Sequence, residues 1–122
     1  MSYNQLEIVL NRGKRDWIAA LENQKAVYLI TDKSNGKLYV GSATSNDGML
    51  LQRWRSYIAN GHGGNKELVE LVKNNGFDHI KQNFQYSILE NYNAKVDDYV
   101  ILERESWWKE TLQTRAFGYN SN

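Results

Sequence analysis

The chain has 122 residues, which is one domain's worth and too few for two of ordinary size. It is 41% hydrophobic and 24% charged, with four Trp, eight Tyr and three Phe, so it holds the apolar material of a packed core and is not a disordered polymer. Fifteen basic residues nearly cancel fourteen acidic ones, and the resulting charge of +1 neither implies nor excludes a nucleic-acid partner. Cysteine is absent, which removes disulfides, thiolate zinc sites and cysteine nucleophiles. The longest apolar runs are a few residues long where a membrane helix needs ~20, and residues 1–11 lack a signal-peptide layout, so a cytoplasmic location away from membranes is expected. His62 and His79 are too few for a histidine-rich metal site, and with no proline nothing marks a rigid linker.

In chain order, residues 5–23 read as helix with Leu6, Leu10, Trp17 and Leu21 on roughly one face, broken at Gly13. Residues 26–31 and 37–43 are β-branched and aromatic around a turn-forming stretch, the pattern of a hairpin. A register that sets residue 31 against 36 brings Tyr28 opposite Tyr39, with both on one face. A loop over residues 44–49 leads to a helix with Leu51, Trp54 and Ile58 as its stripe and Arg53 and Tyr57 on the neighbouring face. Three glycines around His62 predict a turn of unusual backbone angles, and Asn65 is placed to cap a helix carrying Leu68, Leu71 and Val72 inward and closing near Gly76.

Residues 84–89 alternate as a third strand. A last long helix begins near Asn93 or Asp97 and runs to about Gln113, with the stripe Ile101, Trp108 and Leu112. Glu105 falls in that stripe, and a carboxylate on an apolar face is costly unless something pairs with it.

The segments Ala26-Val27-Tyr28 and Tyr39-Val40-Gly41, ten residues apart, resemble the paired motifs that name the GIY-YIG nucleases. The resemblance continues through Arg53-Trp54, Glu105 with Trp108, and Gly118-Tyr119-Asn120, so five ordered motifs cover nearly the whole chain. Residues 39–43, 87–90 and 103–105 are most similar in wording to phage-type homing members. It implies an α+β fold, a three-stranded antiparallel sheet flanked by helices, with residues 1–24 as an added N-terminal helical segment and 25–122 as the nuclease domain.

It further implies hydrolysis of phosphodiester bonds in double-stranded DNA, leaving a 5′-phosphate and a 3′-hydroxyl. Glu105 is the implied ligand of a single Mg²⁺ or Mn²⁺ per active site, Arg53 the phosphate clamp, and Tyr28 and Tyr39 the groups that activate water and orient phosphate. Asn120 is the implied support of the site through Glu105 or a backbone group, and His62 takes a loosely spaced auxiliary position. Homing-type members carry histidine where this chain has Tyr57, whereas the incision subunit of bacterial nucleotide excision repair carries tyrosine there, so Tyr57 is a candidate to share the base role. Two further departures are Ala26 in place of the first glycine and four extra residues between Tyr39 and Arg53. The alternative function is a catalytically silent nucleic-acid-binding module or a subunit of a larger assembly. Sequence selectivity is expected to come from a homo-oligomer, a partner or a further DNA-binding domain.

Overall fold

The computed structural model describes residues 1–121, the side chain of Asp47 excepted, so the expected domain end at 122 lies outside the described residues. Three antiparallel strands, β1 (Gln24–Asp32), β2 (Leu38–Ala43) and β3 (Phe84–Asn93), form one sheet in the order β2-β1-β3. The helices are α1 (Tyr3–Arg12), α2 (Arg15–Glu22), α3 (Met49–Asn60), α4 (Lys66–Asn75), α5 (Phe77–Asn83), α6 (Asp98–Leu112) and α7 (Thr114–Phe117), with a short 3₁₀ turn at Ser45–Asp47. The α+β class expected from the sequence is the fold observed. No helix among the described residues is long and apolar enough to cross a membrane.

The central strand explains the layering. Ala26, Tyr28 and Ile30 point into a core shared with α1 to α5, while Val27 packs on the other face with Val40 and Ile101 of α6, and Leu29 lies partly buried against that cluster. Because both faces are covered, residues 26–30 are apolar without alternation. Each large side chain buried in these layers contributes about 1.5–3 kcal/mol relative to exposure.

The hairpin register differs from the sequence expectation. Thr31 pairs with Leu38 and Tyr28 with Gly41, not with Tyr39. The loop is longer because Asp32 organises it: its backbone N–H donates to the Lys37 carbonyl, and its carboxylate accepts from the backbone and hydroxyl of Ser34. A slip of two residues preserves facing, so Tyr28 and Tyr39 still share one face. Gly41 then meets Tyr28 so closely that an added Cβ would lie 2.4 Å from the phenol oxygen.

Other corrections follow from packing. Trp17 is 55% exposed, whereas Leu6, Leu10 and Leu21 are buried, because the break at Gly13 resets the phase between α1 and α2. Tyr57 is buried, and Ile58 lies partly buried against the core. β3 runs four residues beyond the expected end, and its register shifts between Val27 and Tyr28, leaving Leu89 as the extra residue. That bulge brings Glu90 to the α6 face beside Leu89. There Glu90 accepts from Arg104 Nε and Nη2, from Trp108 Nε1 and from Tyr92, fixing α6 against the sheet. The other end of α6 is held by Asp97 as N-cap and by Asp98, which pairs with buried Lys25 at 2.8 Å and accepts from Ser45.

Candidate active site

The site residues converge near β2, an edge strand of the sheet. Tyr28 and Tyr39 rise from the sheet toward α3, which supplies Arg53 and Tyr57 four residues apart on one helical face. The Tyr28 and Tyr57 hydroxyls are 2.6 Å apart, and Arg53 Nη2 donates to Tyr57 Oη at 3.1 Å while the guanidinium stands 5.3 Å from that ring's centre. Arg53 is half-buried and has no carboxylate partner among the described residues.

Asn65 joins the cluster, a role the sequence did not reveal. It sits at the N-cap position of α4 as expected, yet its side chain makes no capping bond. Instead Oδ1 accepts from Tyr39 Oη at 2.6 Å and Nδ2 donates to Tyr57 Oη at 2.8 Å. The glycine turn makes this reach feasible, since Gly61, Gly63 and Gly64 all have positive φ. His62 contributes through that turn: its Nδ1 accepts from Gly64 N–H at 2.8 Å and its carbonyl accepts from Asn65 Nδ2. Its ring makes no hydrogen bond to the tyrosines among the described contacts.

Glu105 comes from α6, which covers the opposite face of the sheet and packs on β2 and β1. Its charge helps to raise the Tyr39 pKa, after burial and Tyr57. Lys109, one turn on, is buried with Nζ 3.8 Å from Glu105 Oε1, a cation that the stripe pattern did not single out. Asn120 binds the backbone of β2 rather than Glu105: its amide accepts from Val40 N–H and donates to Val40 C=O, both at 2.9 Å. It holds the strand between Tyr39 and Gly41 as a stub of a fourth strand would.

The electrostatics make the phenols of Tyr28 and Tyr39 hard to ionise unaided. Burial is the first cause of the raised pKa at Tyr28 and at Tyr39, followed by Tyr57 at both, while Arg53 opposes the rise at both. For Arg53, burial works against its charge, but Tyr28 and Tyr57 outweigh burial and hold the guanidinium's pKa above its usual range. A ligand that brings positive charge would favour phenolate here. No group of three His, Cys, Asp or Glu lies together among the described residues, so a cation would meet Glu105 with most of its coordination left for water and phosphate oxygens. That donor set suits a hard divalent ion.

Residues 24–120 match the family model of the GIY-YIG catalytic domain. Intron-associated endonuclease 1 of Enterobacteria phage T4 is 30% identical over 97 residues, covering 80% of this chain and 36% of that protein; the chain thus spans little more than a third of its curated relative. The solved catalytic domain of homing endonuclease I-TevI matches with a TM-score of 0.60 at 26% identity, covering 79% of this chain and 96% of that one. A mutant of the I-TevI catalytic domain matches at 0.59 and 26% identity, covering 81% and 94%. Sequence and fold thus agree over about four-fifths of the molecule, and the chain belongs to the GIY-YIG catalytic domains, a family of nucleases.

Proposed function

We propose that the protein is a divalent-metal-dependent endonuclease that hydrolyses phosphodiester bonds of double-stranded DNA to a 5′-phosphate and a 3′-hydroxyl. The observation that carries this reading is Arg53: a half-buried guanidinium beside three phenols, with no carboxylate partner among the described residues, is suited to receive an anion. The family match and the intron endonuclease among its relatives make DNA phosphate the expected anion.

In this reading Arg53 forks onto the scissile phosphate and holds charge as it builds in the transition state. Tyr28 accepts the proton of the attacking water as phenolate, Tyr39 orients the phosphate, and Tyr57 donates to Tyr28. Glu105 would hold a single Mg²⁺ or Mn²⁺, which supplies Lewis-acid polarisation of the phosphate when bound. Asn120 keeps Tyr39 in place through the Val40 backbone, and His62 shapes the turn that presents Asn65. Because the charge of +1 gives weak salt-resistant hold on DNA, selective cutting would require a second copy, a partner or a further domain.

The test is incubation of the protein with supercoiled plasmid and Mg²⁺ or Mn²⁺, beside Glu105→Ala and Arg53→Ala. We expect each substitution to slow cleavage by about 10²-fold or more. Cleavage that survives both removes the mechanism, and a gel shift without product under either metal would favour a silent binding module.

A further inference from the structure

The hydrogen-bond partners of Asn65 determine where three hydroxyl protons lie. Nδ2 faces the His62 carbonyl at 3.2 Å, and a carbonyl can only accept, so the atom there must be the amide nitrogen. Oδ1 is therefore the atom that faces Tyr39, and an amide oxygen can only accept, so Tyr39 donates its proton to Asn65. At the next link Tyr57 Oη receives N–H bonds from both Asn65 and Arg53. A phenol oxygen that already accepts two hydrogen bonds has no lone pair left, so the contact of 2.6 Å between Tyr57 and Tyr28 must be a donation from Tyr57.

We propose that Asn65 is a positioning residue of the active site: it fixes the direction of the chain Tyr39→Asn65→Tyr57→Tyr28, so that of the three phenols only Tyr28 keeps a proton free to leave. The inference rests on the nuclease reading for its catalytic meaning, but the direction of the chain stands on geometry alone. Donation into Tyr28 from Tyr57, itself bonded by Asn65 and Arg53, aims a hydrogen bond at the Tyr28 oxygen, where charge would develop once its proton has left. Directional hydrogen bonding of this kind makes one base out of several chemically equal groups. It also explains why the α4 N-terminus forgoes a capping bond, at a cost of about 0.5–2 kcal/mol, when a capping residue stands in place.

The substitution that reverses the chain with little change of shape is Asn65→Asp. A carboxylate cannot donate, so Tyr57 must turn its proton toward position 65, and Tyr28 must then donate to Tyr57. We expect Asn65→Asp to lower kcat for plasmid cleavage by about tenfold or more. In a Tyr57→Phe background, where no proton remains to turn, the same change should cost less than about twofold, which separates direction from packing and from the added charge. A kcat within about twofold of wild type for Asn65→Asp, or an equal loss in both backgrounds, overturns the proposal. Proton NMR of the wild-type protein reads the chain without catalysis: the Tyr57 hydroxyl proton should show its cross-peak to the Tyr28 ring, and a Tyr28 hydroxyl proton lying toward Tyr57 overturns the assignment. If the wild type cuts nothing with either metal the nuclease reading fails, and if Tyr57→Phe is inactive the cycle is silent; in both cases NMR alone decides the direction of the chain.

Discussion

Two polar clusters hang from the same central strand, four residues apart, and they are built for opposite ends. At Asp32 a buried carboxylate accepts from the Ser34 backbone and hydroxyl, from Tyr119 Oη at 2.7 Å and bonds His79 Nε2 at 3.0 Å, so its acceptor sites are filled from the turn, α5 and the C-terminal segment. At Tyr28 the chain is an arginine and three phenols with no carboxylate bonded to it among the described residues, and its last proton meets no acceptor among them. The first network is complete and ties elements together. The second is left one partner short beside an edge strand, which is the condition for receiving a ligand.

The contrast can be broken at either end. The largest effect is expected from Tyr28→Phe, which should lower cleavage by about 10²-fold while leaving the thermal midpoint nearly unchanged, measured by plasmid assay and by calorimetry. Equal losses of both would make Tyr28 a core residue first. Asp32→Asn should do the reverse, costing about 1–3 kcal/mol of stability with cleavage within about threefold of wild type at a temperature where the variant is folded. Burial alone would raise the Asp32 pKa, but bonds from His79, Ser34 and Tyr119 outweigh it and hold it below the ordinary 3.8. The unfolded chain therefore binds the proton first. Asp32's contribution is complete above pH 3.8 and fades as pH falls through that value and below it, and Asp32→Asn should flatten this part of an acid-unfolding curve. The smallest effect is expected from Tyr119→Phe, which removes one of these donors and should cost about 0.5–1.5 kcal/mol in denaturant melts.

Most of the architecture could be read from residue patterns, because the signals were local. Gly13 marked the break between α1 and α2, three glycines marked the turn after α3, and two β-branched and aromatic runs around a turn marked the β1–β2 hairpin. Misreadings arose where a distant partner decides. The hairpin turns on Asp32, whose carboxylate also accepts from Tyr119, 87 positions away. Helices α5 and α7 are short pieces whose burial is set by neighbours, and their sequences carry little period of their own. Trp17 follows the helical spacing but lies beyond the phase change at Gly13. The motif residues Tyr28, Tyr39, Arg53 and Tyr57 were legible through family resemblance, and the structure brings them together. Asn65 was visible only as a cap, since a side chain that could close a helix end gives no sign in sequence that it has turned toward two phenols.

The Asn120 amide on Val40 has a consequence for how the molecule is made. The two partners lie 80 residues apart, and Tyr119 N–H adds a bond to the Leu38 carbonyl, so the outer edge of β2 is finished by nearly the last described residues. During synthesis the hairpin bearing both motif tyrosines leaves the ribosome long before that cover exists. Until residue 120 emerges, the nascent chain presents an open strand edge and a loosely held Tyr39. The candidate site is thus completed only once Asn120 has emerged, when the translating ribosome is well beyond the codons for the motif tyrosines, arginine and glutamate.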